Sequence, residues 1–547
     1  MTTAAKRSKR KSRDVLDVAR ELLSSGDNDA VIELIEKLLA SHAEQLRALV
    51  HDAGRRQRGR KNEGVSSAQL TMFLEELAKQ EAEATAEADD KLRGAAPVTP
   101  KEKTTKAKKP PPRRRPIPPD LPRVRNDIPV PPAERACPVC GEERTCIGHE
   151  TTSIIDVEPA RVIVREDRRE KLACQRCESQ VVTAPLGDKV VEGGAYGSQL
   201  VAQLVVGKYA DGLPLYRQRE QLQRLGLDMP SSSMGDQIAW ATDLLQPVWR
   251  ALRDRVLDAR NLHGDGTSLP VLDRDSPKGI KTGALWGWVG VDLVVEDGAT
   301  REECSAFFNY TSTARKGGQR EGELGPEDFL NLRRARGSPY VIVDAAGVFD
   351  ASFLRPGLIE VGCNMHARRY FIKVLDAGDV RAALPIAAFK NLYDVEEVVA
   401  GKPPAAKLRA RQRKSRPVYD ELIAWCQTYK RSEPPSSALG KAVRYLLNHQ
   451  VALTRYLDDG CLPIDNGVVE RLHRKPAVGR RNYLFAGSDA GAERAAIAYS
   501  VLGTCKLLGV NPIEYLADVL PVLARGICIA RDLPALMPSG WLAAKRS

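Results

Sequence analysis

Ten residues divide this chain. Pro110-Pro-Pro-Arg-Arg-Arg-Pro-Ile-Pro-Pro places proline at six of ten positions, fixing φ and deleting the backbone donors that a helix interior or central strand needs. The stretch is an extended, solvated linker, so the segments on its two sides fold separately. Counting the basic run Lys101–Lys109, the linker occupies 94–133. Its cations add a secondary, non-specific attraction to phosphate. A chain of 547 residues calls for roughly three to five folding units.

Upstream, 1–93 begins with a basic start (Lys6, Arg7, Lys9, Arg10, Lys11) and continues through a segment rich in Ala, Leu, Glu and Arg. Leu34, Leu38, Leu39, Leu46 and Leu49 recur at helical spacing. Either a leucine-zipper-like coiled coil, which would make the protein self-associate, or a solvated helical pair satisfies this pattern. The formal net charge of +12 points to a polyanionic partner, most simply nucleic acid. No uninterrupted apolar run of about 18 residues is present, which excludes a membrane-spanning helix, and no apolar signal core follows the basic start. The odd count of eleven cysteines suits a reducing compartment better than a disulfide framework. The expectation is a cytoplasmic, multidomain, nucleic-acid-facing protein.

Downstream of the linker, Cys137-Pro-Val-Cys140 and Cys174-Gln-Arg-Cys177 form two knuckles of paired thiolates. This is the donor set of a closed, structural, tetrahedral Zn2+ site and places a zinc ribbon over 134–185. Cys146 and His149 are spare donors. Between the knuckles, Thr152-Ser-Ile-Ile-Asp-Val and Arg161-Val-Ile-Val read as strands. The region 190–255 reads as helices. One spans Tyr196–Tyr209, a second opens at Pro214 and closes at Gly226, and a third is capped by serine in Pro230-Ser-Ser-Ser-Met. That order suits a helix-turn-helix presenting Arg217, Arg219, Arg224 and Ser231–Ser233 to DNA; a plain helical connector suits it equally.

Three carboxylates stand out. Asp265 lies in Asn261-Leu-His-Gly-Asp-Gly, ahead of the aromatic, valine-rich Thr282-Gly-Ala-Leu-Trp-Gly-Trp-Val-Gly-Val-Asp. Asp344 terminates the apolar run Tyr340-Val-Ile-Val. Glu470 opens a strongly basic run holding Arg471, His473, Arg474, Lys475, Arg480 and Arg481. Two aspartates on strands and a glutamate on a later helix are the parts of a site holding two Mg2+ ions about 4 Å apart for phosphoryl transfer. The basic frame suits a nucleic-acid backbone. Asp465, beside Asn466, is a rival to Glu470 better suited to capping the helix that bears it. Asp350 is a rival to Asp344.

The segment 372–459 is charged and helical in composition. Its basic stretch Lys407-Leu-Arg-Ala-Arg-Gln-Arg-Lys-Ser-Arg either contacts phosphates or faces solvent. His366, with Arg368 and Arg369, follows a strand-like run. These residues suit phosphate positioning, since imidazole is a poor Mg2+ ligand, although a structural histidine fits as well.

Taken together, the cysteine knuckles, Gly207-Lys-Tyr-Ala-Asp-Gly-Leu-Pro-Leu-Tyr-Arg-Gln, Gly362-Cys-Asn-Met-His-Ala-Arg-Arg-Tyr-Phe, Asp465-Asn-Gly-Val-Val-Glu-Arg, Gly479-Arg-Arg-Asn-Tyr-Leu-Phe-Ala-Gly-Ser-Asp and Gly509-Val-Asn-Pro-Ile-Glu-Tyr-Leu-Ala-Asp-Val-Leu resemble the DDE transposases of the insertion sequence 66 family, the TnpC-type proteins. The resemblance covers nearly the whole chain. It implies a multidomain α+β protein whose RNase H-like α/β core (256–371 and 460–500) is split by a helical insertion at 372–459 and followed by a helical segment at 501–547. It also implies that Asp265, Asp344 and Glu470 are the DDE triad and that double-stranded DNA is the partner. A homo-oligomer, accessory proteins of the same element and a bacterial, nucleoid-associated setting are further implications. Two positions depart from the family pattern. Gly266 follows Asp265 where an acidic residue is usual, and Ala345-Ala-Gly-Val-Phe-Asp follows Asp344 where an Asp-Gly-Tyr-Ala-Gly-Tyr-like sequence is common.

Overall fold

A computed structural model describes residues 161–168, 170–172, 182–183, 190 and 194–546, apart from 297–298, 314–319 and 337–338. The N-terminal helical segment, the proline linker, the 152–157 strand and all four candidate zinc ligands lie outside these residues, as do Cys146 and His149. Close to the zinc ligands in sequence is a short antiparallel pair, β1 (Lys171–Leu172) with β2 (Val182–Thr183), whose connecting segment carries Cys174 and Cys177. The strand expected at Arg161–Val164 does not form; Ile163 and Val164 are 76% and 90% exposed. A β-branched run becomes a strand only where another strand takes up its hydrogen bonds and a core covers one face.

Four helices come next: α1 (Ser198–Tyr209), α2 (Leu215–Arg224), α3 (Ser231–Leu244) and α4 (Gln246–Asp258). They agree with the three helices read from Tyr196 onward, with one correction. Pro230, not a serine, is the N-cap of α3, and no side-chain cap bond forms there. Proline's fixed φ already sets the entry into the helix, leaving the serines inside the first turn.

Beyond α4 lies a mixed five-stranded sheet. Strands β3 (Asn261–Leu272), β4 (Ile280–Glu296) and β5 (Ala299–Thr311) form an antiparallel meander, and β6 (Tyr340–Val343) and β7 (Ile359–Gly362) add in parallel on the far side of β3. The order across the sheet is β5-β4-β3-β6-β7, with β3 at the centre. Helix α5 (Pro326–Ala335) covers the crossover from β5 to β6, and the one-turn helix α6 (Asp350–Phe353) lies between β6 and β7. The glycines of β3 are explained by their neighbours. A Cβ on Gly264 or Gly266 would lie 2.6 or 2.4 Å from the rings of Trp288 and Trp286 on β4. Both indoles are buried and satisfied, Trp286 donating to Thr311 and Trp288 to Asn309. An acidic side chain at 266 would collide with Trp286, which accounts for the first departure from the family pattern.

After β7 come α7 (Asn364–Asp376), α8 (Ala383–Val398), α9 (Pro404–Ala410), a π turn (Arg411–Ser415), α10 (Arg416–Ser432), α11 (Ala438–Asn448) and α12 (Gln450–Thr454). They pack around Phe371, Phe389, Tyr419 and Leu446 as a separate apolar centre that also includes Ile342 of β6 and Val361 of β7. Arg411 ties this body to the 456–462 segment that leads out of it. Its buried guanidinium pairs with Glu396 and donates to the carbonyls of Tyr456, Asp459 and Leu462. Part of the basic stretch expected on a surface is therefore a structural clamp.

The chain then re-enters the sheet body as α13 (Gly467–Tyr483), α14 (Asp489–Leu508), α15 (Pro512–Arg525), α16 (Ile529–Leu536) and α17 (Pro538–Arg546). Helix α14 lies on the edge strand β5, where the buried hydroxyls of Ser500 and Thr504 accept the Phe308 and Ala306 N–H groups at 2.7 and 3.0 Å. These contacts cover amides that an open edge would otherwise expose. No described helix is long and apolar enough to cross a membrane.

Candidate active site

The sheet register brings the two aspartates together. His263 on β3 pairs with Ile342 on β6 in parallel, so two residues further along Asp265 lies across from Asp344, which directly follows β6. Burial first, then the charges of Asp344 and Glu470, push the Asp265 carboxyl up to about 7, against the pull of the Gly266 N–H at 2.8 Å. Asp344 accepts the Ala346 N–H at 3.1 Å in a tight turn whose central residue, Ala345, has φ of 59°. This is the left-handed region that glycine occupies freely. The second departure from the family pattern is thus an alanine at a position whose backbone favours glycine.

Glu470 arrives on the first turn of α13. Asp465 accepts the Gly467 N–H at 2.8 Å and the Tyr393 hydroxyl at 2.8 Å, so it is committed to holding the start of the helix. Asn466, completely buried, pins that start to β3. Its amide donates to the Gly264 carbonyl at 2.8 Å, and its oxygen takes the Nδ1–H of His263 at 3.0 Å. Burial raises the pKa of Glu470, but His366, Arg369 and Cys363 outweigh it and leave the carboxyl below its ordinary value. The distances are 3.3 Å from Glu470 Oε1 to His366 Nδ1, 3.6 Å to Cys363 Sγ, and 3.5 Å from Oε2 to Arg369. His366 Nε2 lies 3.8 Å from Asp344 and accepts a hydrogen bond from Arg369 at 2.9 Å. His366 thus stands between the second and third carboxylates. Asp350 opens α6 and adds its charge beside Glu360.

Among the described residues neither Asp265 nor Asp344 has a Lys or Arg ion-pair partner. His473 Nε2 lies 4.0 Å from Asp265; burial holds its pKa down at about 4, so it is neutral. Two close carboxylates, each with one backbone donor and no compensating cation, fit a hard divalent ion such as Mg2+.

The basic residues divide into several groups. On α13, Arg471, Arg474 and Arg481 are exposed. Lys475 donates to the Ala210 carbonyl and Arg480 to Ser268, so these two also brace the site. Arg368 and Arg369 are half-buried on α7. On α2, Arg217 and Arg224 are exposed, while Arg219 is paired with Asp228 at 2.9 Å. Sequence reading overlooked Asn466 and Cys363. The Cys-x-x-His spacing into His366 was a visible signal for Cys363. Nothing local distinguished Asn466, whose partners lie about 200 residues earlier.

The arrangement sets Asp265 on a central strand, Asp344 directly after its parallel neighbour, and Glu470 on a helix with three exposed arginines. The family of the chain is settled by comparison. A family model described as "Transposase IS66 family" matches 193–494, one described as "zinc-finger binding domain of transposase IS66" matches 134–178, and one described as "Transposase C of IS166 homeodomain" matches 45–125. The chain belongs to the IS66 family of transposases. Similar proteins from Sinorhizobium fredii (strain NBRC 101917 / NGR234) include the uncharacterized protein y4jD, 31% identical over 78% of this chain and 82% of that protein. The uncharacterized protein y4hP is 31% identical over 76% and 74%, respectively. No solved structure matches. The zinc-finger match supports a structural zinc in the segment that holds Cys137, Cys140, Cys174 and Cys177.

Proposed function

We propose that this protein is a DNA transposase that binds the ends of its own element, hydrolyses DNA there and joins the freed 3′-hydroxyl to target DNA in line. Asp265, Asp344 and Glu470 form the DDE triad. The observation that carries this reading is the parallel β3–β6 register, which sets Asp265 across from Asp344, together with the Asn466 pin that delivers Glu470 to the same place. The mixed sheet, with Asp265 on its central strand and Asp344 directly after the parallel strand beside it, supports an RNase H-like core.

When bound by the triad, Mg2+ would supply Lewis acidity to activate the attacking oxygen and stabilise the leaving one. The chain's own residues do the rest. Asp265 and Asp344 present oxygens from a rigid sheet, so their separation is fixed before DNA arrives. His366 and Arg369 hold Glu470 ionised until it turns toward the two aspartates. Arg471, Arg474 and Arg481 grip phosphates beside the site, with Arg368 and Arg369 on the facing helix. Arg217 and Arg224 on α2, with the start of α3, read the element end in helix-turn-helix fashion, Arg219 joining them once DNA competes with Asp228. Holding two ends together calls for at least a dimer, and proteins encoded by the same element are candidate accessories.

The test is an assay with Mg2+ and DNA carrying the sequences that flank the gene. Joined products that vanish in Asp265→Asn and in Glu470→Gln support the triad, and retained joining in either variant refutes it. Specific binding of the ends without cleavage by the unaltered protein would instead favour a DNA-binding regulator derived from a transposase.

A further inference from the structure

We propose that Cys363, His366 and Glu470 form a second metal site, suited to a soft divalent ion such as Zn2+, which when filled takes Glu470 out of the magnesium centre. The three donor atoms lie within 4.8 Å of one another. The geometry is specific. A tetrahedral zinc with bonds of about 2.3 Å to sulfur and about 2.0 Å to nitrogen and oxygen holds its S and O ligands about 3.5 Å apart and its N and O ligands about 3.3 Å apart. The observed separations are 3.6 Å from Cys363 Sγ to Glu470 Oε1 and 3.3 Å from His366 Nδ1 to that same oxygen. The donors therefore already stand close to two edges of a zinc tetrahedron.

The backbone prepares this arrangement. Cys363 is the N-cap of α7 and His366 lies in its first turn, so both donors face α13. Cys363 is further fixed by the Asn466 N–H, which donates to its sulfur at 3.3 Å. Thiolate and imidazole select zinc over magnesium, because hard ions prefer oxygen. With three protein ligands the fourth position remains open to water.

Occupation of this site would involve a second carboxylate. Arg369 donates to His366 Nε2, so the ring proton sits on Nδ1, toward Glu470. A metal on Nδ1 needs the other tautomer. Binding releases the thiol proton and moves the ring proton to Nε2, where Asp344 Oδ2, 3.8 Å away, can accept its hydrogen bond. Arg369 must then withdraw. Asp344 becomes the outer carboxylate that orients a metal-bound histidine, so two of the three acidic groups are diverted at once. This consequence for catalysis rests on the magnesium reading above; the metal site itself does not.

The test uses full-length protein dialysed against zinc sulfate and then against zinc-free buffer, followed by elemental analysis and zinc-edge X-ray absorption. The expected result is roughly one more zinc per chain in the unaltered protein than in Cys363→Ser. The mean sulfur count per zinc should fall from about four to about two and a half as the second site fills. Equal zinc in the two proteins, or a sulfur count that stays near four at saturation, overturns the proposal. If Cys363→Ser does not fold, as judged by circular dichroism, His366→Gln replaces it, and the absorption measurement needs no variant. In the joining assay, Cys363→Ser should raise the zinc concentration for half-inhibition by at least about tenfold. Zinc uptake at the site with undiminished joining would keep the metal site and overturn the role of Glu470 in the reaction.

Discussion

Replacing Asp265 with asparagine should make the magnesium-free protein more stable, and only above mild acidity. The neutral amide has the same shape and keeps the bond from the Gly266 N–H, so the change isolates the charge. In the folded protein the Asp265 carboxyl titrates at about 7, against a reference of 3.8. Because the folded value is the higher one, the native state binds the proton more tightly. Stability therefore falls as pH rises between these two values, and the whole penalty is present above the upper one. Moving a carboxyl that far costs the folded state about 4 kcal/mol. With 21% of the side chain exposed, solvent screening trims this to about 2–3 kcal/mol.

Thermal unfolding in magnesium-free buffer, followed by tryptophan fluorescence, to which the buried Trp286 and Trp288 contribute, reads the effect. At pH 8 the variant should melt about 4 °C higher, and at pH 4 the two proteins should coincide. Millimolar Mg2+ should raise the melting temperature of the unaltered protein and leave the variant unmoved, because ligand that binds only the native state stabilises it. A variant no more stable than the parent at pH 8 would refute the argument that Asp265 and Asp344 form an uncompensated pair.

Three further outcomes are expected. Ala345→Gly should stabilise the core by about 1 kcal/mol in urea unfolding, since φ of 59° strains alanine and not glycine. Arg333→Met should cost about 3–5 kcal/mol in the same measurement, because the fully buried guanidinium donates to the carbonyls of Leu257, Ala259, Arg260 and Tyr340, which would all lose their partner. Arg474→Ala should lower DNA affinity with little regard to sequence and reduce the slope of log affinity against log salt by about 0.9, the share of one phosphate contact.

How much of this was legible in the sequence depended on distance along the chain. The helices from Ser198 to Leu244 were readable because proline, glycine and apolar spacing act locally. Asp265 and Asp344 were readable as residues on or after apolar runs, but nothing local revealed that β3 and β6 pair in a register that sets them across from each other. Asp465 was expected to cap the helix; the N-cap is instead Asn466, and Asp465, one residue earlier, accepts the Gly467 N–H. The Arg161–Val164 run was misread because side-chain type alone cannot supply a partner strand. Arg411, within a stretch with either DNA or solvent as its expected contact, is buried because carbonyls some 50 residues later need a donor. Arg333 and Asn466 were silent for a similar reason: their partners are mostly far away in sequence, backbone oxygens for Arg333 and the Gly264 carbonyl with the His263 ring for Asn466.

The Asn466 pin has a consequence for how the protein comes into being. The amide that seats the glutamate-bearing helix reaches back 202 residues to Gly264. Ribosomes add about 5–20 residues per second, so the strand waits on the order of 10–40 s for its partner. During that interval the nascent chain carries Asp265 and Asp344 but neither Glu470 nor the arginines of α13, so the proposed triad is incomplete. Any product cut short before Asn466, by a premature stop or a frameshift, lacks Glu470 and the amide that seats its helix on β3. On the proposed function, catalytic competence is acquired late in synthesis, and a truncated product keeps the DNA-reading helices without the ability to cut.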